Sequence, residues 1–198
     1  MRIWNVSWIC LSAMLLFALG TGFAQEGGIK GWTLAGSAPK SYSVFKDRTE
    51  RHERHNTIVL RSIENVTDNF GTVMQMVQAK KFRGKRVMLS GYIRAKDVKG
   101  DAGLWMRVDG ANDVMLAFDN MSSRPIVGTE PWRKYEVVLD VPQVESKDIA
   151  FGARLYGSGQ LWISGLRLRA VSRAVKCTAP QVADPKRLPE APVNMDFD

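Results

Sequence analysis

The 198-residue sequence predicts an all-β domain, a β-sandwich jelly roll of two antiparallel sheets. Three observations predict it. Short apolar segments between 57 and 171 alternate with period two, and turn residues separate them at nearly even spacing. No stretch there keeps a 3.6-residue apolar period over three turns, although 74–81 is ambiguous. Evenly spaced strands without intervening helices bury their apolar faces by packing sheet on sheet.

Residues 1–24 are expected to be a signal peptide. Arg2 supplies the early cation, an apolar run follows from Ile9 to Leu19, and "GFA" offers small residues for cleavage after Ala24. The run is shorter than the ~18–20 residues a membrane span needs. An uncleaved anchor is the alternative. Cleavage implies export, to the periplasm or the medium, and leaves no transmembrane span. Cys10 leaves with the leader, so Cys177 remains without an intramolecular disulfide partner. Residues 25–30 read as a flexible lead-in to a domain spanning 31–171.

The strands are expected at "TIVLRS" (57–62), "GTVMQMV" (71–77), "RVMLSGYIRA" (86–95), "GLWMRVD" (103–109), "DVMLAFD" (113–119), "RKYEVVLDV" (133–141), "IAFGARLYG" (149–157) and "LWISGLRLRAV" (161–171). Gly157 and Gly159 bracket Ser158 as at a tight hairpin, because glycine reaches positive φ without steric cost. Gly91 and Gly165 fall inside strands, where they predict bulges. Residues 172–198 hold four of the eight prolines and no apolar periodicity, so an extended or disordered tail is expected.

The chain has 28 Lys and Arg against 20 Asp and Glu, a net charge of +8. Removing the leader takes away only the charge of Arg2. Such a balance favours anionic neighbours such as acidic polysaccharide. The dense basic patches, "KDRTERHERH" and "KKFRGKR", lack the interleaved aromatics of a single-strand nucleic-acid binder. With export expected, nucleic acid is not an expected partner.

The segments "GWTLAGSAPKSYSV", "FGTVMQMVQAKKFRGKRVMLSGYIRA", "GLWMRVDG", "LAFDNM", "WRKYEVVLDVP" and "IAFGARLYGSGQLWISGLRL" resemble galactose-binding-like jelly rolls. They are similar to carbohydrate-binding modules, particularly in the final unit, and the resemblance as a whole covers about 31–171. It implies a ligand-binding rather than catalytic domain, of a kind found alone in exported bacterial proteins or appended to regulators and hydrolases. Many such domains have no assigned function. Where carbohydrate modules often carry paired aspartates that help hold a structural calcium, this chain has Ser164-Gly165. Calcium wants several oxygen ligands, so that departure weighs against a calcium there, and no cofactor is expected.

Nothing in the sequence assembles a catalytic constellation. His52 and His55 lie three apart in "ERHERHN" without a third ligand or a His-Glu-x-x-His arrangement. No serine sits in a Gly-x-Ser-x-Gly elbow, and Cys177 lies in the proline-rich tail. A hydrolase of unfamiliar design is the weakest alternative.

Binding finds more support. A sugar ring asks for an aromatic platform beside planar hydrogen-bonding groups. On 103–109, Trp105, Arg107 and Asp109 alternate with the core candidates Leu104, Met106 and Val108. Alternation adds Gln75, between Met74 and Met76, and Asp119, Asn120 and Arg154. The candidate ligand-binding face is therefore Gln75, Trp105, Arg107, Asp119, Asn120 and Arg154. An internal Arg–Asp network roofed by Trp105 is the competing account. Trp32, Trp132 and Trp162 read as packing or sheet-end residues. The expected function is an exported non-catalytic module binding carbohydrate on an aromatic-bearing concave sheet face. The alternative is a protein-interaction or structural module of the cell envelope with no small-molecule ligand.

Overall fold

The computed structural model describes residues 29–178. The expected leader, 1–24, and most of the expected tail, 179–198, lie outside them. The chain runs β1 (Thr33–Gly36), β2 (Tyr42–His52), β3 (His55–Ser62), β4 (Phe70–Gln78), β5 (Arg86–Asp109), β6 (Met115–Asp119), β7 (Ile126–Asp140), β8 (Asp148–Tyr156) and β9 (Gln160–Val171). Every pairing is antiparallel. The fold is the all-β jelly-roll sandwich that the alternation predicts.

One strand organises it. β5 is 24 residues long. Its first part, Arg86–Lys96, pairs β9, and its second, Asp101–Asp109, pairs β8. One sheet is therefore β1-β4-β8-β5-β6, and the other is β7-β5-β9-β3-β2. The sequence reads β5 as two strands, because "KDVKGDA" carries few apolar residues. Backbone pairing to β7 continues through this stretch, Val98 with Gly128 and Ala102 with Ile126. Between the sheets lie Leu60, Leu89, Ile93, Leu104, Met106, Leu139, Ile149, Leu155, Leu161 and Ile163, each essentially inaccessible to water.

The bulge expected at Gly91 and Gly165 is present. Register shifts there, with Ser90 opposite Arg167 and Tyr92 opposite Ser164, and Gly165 has φ +62°. The hairpin expected at 157–159 is not. β8 and β9 each pair with β5 and not with each other, so this turn carries the chain from one sheet to the other. Val66 holds it, through hydrogen bonds to the Ser158 hydroxyl.

The charged stretch "KDRTERHERH" forms the end of β2 and the turn into β3. Asp47 Oδ1 accepts from the Thr49 hydroxyl and from the Thr49 and Glu50 amides, and the register is irregular between Asp47 and His52. Glu53 takes the left-handed conformation at the tip, φ +53°.

Residues 172–178 continue along the domain, beyond the boundary drawn at Val171. Thr178 exchanges hydrogen bonds with the backbone of Val138, its amide donating at 3.0 Å and its hydroxyl accepting at 2.8 Å. It thereby covers the free edge of β7, which an unpaired strand would otherwise leave open. One Arg86 guanidinium nitrogen donates to the carbonyls of Arg173 and Val175.

Candidate functional site

The structure divides the six residues of the expected binding face. Opposed residues of an antiparallel ladder share a face. Trp105 opposes Gly152, which opposes Met74; Gly103 opposes Arg154, which opposes Thr72; Arg107 opposes Ala150. Trp105, Arg107 and Arg154 therefore share the outer face of the first sheet. Gln75 does not join them. It opposes Phe151 on the core side of β4, and its amide nitrogen lies close to Gly31. Asp119 also turns from that face, because it opposes Met106. Asn120 stands at the margin, where its carbonyl accepts from Arg154 Nε at 3.2 Å.

Trp105 is not an open platform. It is 7% exposed, packed with Met74, Ala150, Ala35 and Phe118. Its indole nitrogen donates to the Thr72 hydroxyl at 2.7 Å. Arg107 pairs with Asp109 at 2.9 Å and Arg154 with Asp101. Burial pushes the Asp109 carboxyl upward, and the Arg107 guanidinium opposes the shift. Two separate Arg–Asp pairs thus occupy the face, beside a tryptophan buried among apolar side chains. Asp119 serves another purpose. It accepts from Arg124 at 2.6 Å, from the Met121 amide and from the Thr178 hydroxyl. Burial alone would raise its carboxyl; these donors outweigh burial and hold it below its ordinary value.

A second aromatic face lies on the outer side of the other sheet. The bend in β2 carries Glu50 and His52 to Tyr92 on β5 and Trp132 on β7, strands that do not neighbour β2 in the sheet. The His52 ring stacks on Trp132, centroids 4.7 Å apart, and tilts against Tyr92 at 4.3 Å. Glu50 accepts from the Trp132 indole at 3.1 Å and pairs with Arg94 at 3.0 Å. The Arg94 guanidinium lies over the Trp162 ring, 4.7 Å from its centroid, in a cation–π contact. The Trp162 indole donates to Asp47 at 3.0 Å. Hydrogen bonds from the Thr49 hydroxyl, the Glu50 and Thr49 amides and this indole hold Asp47 well below the usual carboxylate range.

Beside this cluster opens a cavity of about 530 Å³, lined by Asp47, Glu50, Arg94, Lys96, Asp97 and Trp162 among others. It joins one indole to carboxylates, a guanidinium and the Thr49 and Thr129 hydroxyls, donors and acceptors that suit a polyol. The signal for it was in the alternation. Trp162 falls between Leu161 and Ile163, and Arg94 between Ile93 and Ala95, all core residues. Trp162 and Arg94 therefore had to point outward, by the same argument that singled out Trp105. Among the described residues, no group of three or more His, Cys, Asp or Glu side chains is placed to hold a metal.

No family model matches the chain. It is 41% identical over 176 residues to a Bacillus subtilis protein named as an uncharacterized HTH-type transcriptional regulator, YbfP, covering 88% of this chain and 58% of that one. The chain thus spans little more than half the length of that curated relative. Among solved structures it is similar to the N-terminal tandem of CBM22 domains from Paenibacillus barcinonensis Xyn10C, with TM-score 0.55 and 13% identity, covering 82% of this chain and 45% of that one. It is also similar to a family 16 carbohydrate-binding module, with TM-score 0.52 and 14% identity, covering 73% of this chain and 94% of the module. These likenesses show a shared jelly-roll fold. Among the described residues, no helix is long and apolar enough to cross a membrane.

Proposed function

We propose that this chain is an exported, non-catalytic carbohydrate-binding domain whose glycan lies in the cavity beside Trp162. The observation that carries the proposal is the juxtaposition there of an indole with Arg94, Asp47 and Glu50. Two supports stand beside it: the shared fold with a carbohydrate-binding module, and an assembly of planar donors and acceptors on rigid strands. Identity to a protein named as a transcriptional regulator is compatible with a ligand-sensing use of the fold. Each hydrogen bond to a sugar replaces one to water and nets only about 0.5–1.5 kcal/mol. Single sugars should therefore bind weakly and longer chains more tightly.

Calorimetric titration with a panel of neutral and acidic oligosaccharides tests this. Trp162→Ala should lose binding of whichever chain the wild type takes, while Trp105→Phe keeps it. The proposal fails if no glycan binds, or if Trp162→Ala binds as well as wild type. Export is checked separately by the intact mass of natively expressed protein, which should begin at Gln25.

One observation favours a second use, as a protein-interaction module. The Trp105 face pairs its arginines with carboxylates yet leaves Met76 and Met115 exposed, at 54% and 43%. Under that reading Met76→Asp would abolish partner capture and leave glycan titrations unchanged.

A further inference from the structure

A separate cavity of about 520 Å³ lies where β5 begins and β9 ends, lined by Gly84, Lys85, Arg86, Arg169, Arg173 and Val175 among others. It gathers the basic motif "KKFRGKR" with cations from β9 and the segment after it. Their charges are not equivalent. Arg86 is committed: it forms a two-pronged pair with Asp140, at 2.8 Å on each prong, and donates to two carbonyls. That pairing also neutralises the nearest carboxylate, and Asp140 is held below its ordinary value chiefly by Arg86.

The remaining cations keep unused donors. Lys85 meets the Lys81 carbonyl at 3.0 Å, and Arg173 the Gly84 carbonyl at 3.1 Å. The Arg169 guanidinium meets only Met88 Sδ, at 3.6 Å, among the described residues. Sulfur is a weak acceptor. Arg167 projects on the same side of β9, two residues before Arg169, because Ser90 and Met88 oppose the two.

We propose that this cavity binds the sulfate or carboxylate groups of an acidic polysaccharide. Guanidinium forks match such oxyanions in pairs of parallel hydrogen bonds. The lining residues favour a glycan over nucleic acid. None is an aromatic on which an unpaired base could stack. The site is also the outer face of a sheet, whereas duplex recognition places a helix or a two-stranded ribbon in a groove. The site is independent of the Trp162 cavity, which lies toward the other end of β9.

Titration with dextran sulfate, in low and in high salt and against neutral dextran of equal length, tests the proposal. Wild type should bind the sulfated polymer, with affinity falling steeply as salt screens the contacts. Arg169→Glu with Arg173→Ala should lose roughly tenfold or more, and Arg169→Lys should lose much less. Because Arg169 has only a sulfur contact, its replacement should leave the melting temperature unchanged. Lys85→Ala gives a second variant at a surface position. Trp162→Ala should bind dextran sulfate as wild type does, which separates this site from the neutral-glycan cavity. The proposal is overturned if the Arg169 and Lys85 variants bind unchanged, if neutral dextran binds equally, or if mixed-sequence duplex DNA is held more tightly at the same salt.

Discussion

The indole of Trp105 on β5 donates to the hydroxyl of Thr72 on β4, reaching across the intervening strand β8. The residue it crosses is Gly152, opposite both Trp105 and Met74 in the ladder. A Cβ on Gly152 would lie 2.1 Å from the Val73 carbonyl oxygen, an approach backbone cannot relieve cheaply. Trp105 thus holds three strands together.

Thr72→Val should therefore destabilise the domain by about 1–3 kcal/mol, since it leaves a buried indole N–H without its acceptor. Trp105→Ala should cost about 3–5 kcal/mol. Gly152→Ala should be poorly tolerated despite adding one methyl group. Urea denaturation curves read all three, and a neutral result for Thr72→Val would show that water satisfies the indole.

Removal of residues from Arg173 onward should lower stability by about 2 kcal/mol, a shift of about 4–8 °C in melting temperature for a domain of this size. The loss comes from the β7 edge, where Thr178 meets Val138, and from the acceptors of Arg86. Thr178→Val should reproduce part of it. An unchanged melting temperature after truncation would mean that solvent replaces these bonds without cost.

Acid should act through Asp119 and Asp140. Both carboxyls are held below their ordinary values in the folded chain. The unfolded chain therefore binds protons more readily, and the stability the two contribute is present above their unfolded pKa, near 4, and lost as pH falls through the folded values. Asp119→Asn and Asp140→Asn should each lower stability at neutral pH and flatten its decline below about pH 4. Asp109, pushed upward by burial, works in the opposite sense, so the paired Asn variants and not the total slope are the measurement.

Glu50→Gln should loosen the end of the β2–β3 hairpin without unfolding the domain. Glu50 ties that hairpin to Arg94 and Trp132, and a half-exposed ion pair is worth only about 0.2–1 kcal/mol. Amide exchange should speed up in 48–55 and in no core strand. Uniform acceleration would show that the hairpin supports the whole sandwich.

The sandwich was legible because core strands such as "GLWMRVD" and "LWISG" bury one face and alternate accordingly. β2 was hidden by its charges. It lies at a sheet edge, so "KDRTERH" needs no apolar alternation to belong to a strand. Face assignment failed where both sides of a strand are covered. On β4, Val73 and Met74 are 1% and 7% exposed, so the methionines beside Gln75 could not reveal which side was core. On β6, irregular register beside Asp109 turned Ala117 and Asp119 to the Met106 side and Phe118 to Trp105. The Trp162 cluster was half legible. Alternation pointed the indole outward, but its contact with Asp47 spans 115 residues, a separation that no local pattern encodes.

The sharing of β5 between two ladders bears on how the domain would report an occupied site. Neither sheet can detach its central strand without disturbing the other, so the two cannot melt separately. A ligand bound on either outer face would then raise the free energy of global opening by RT ln(1 + [L]/Kd), slowing exchange of amides throughout the domain. The same ladders join residues distant in the chain, Arg86 to Val171 and Asp101 to Tyr156. Such closures set a slow search, on the order of milliseconds to seconds, before the first stable sheet exists.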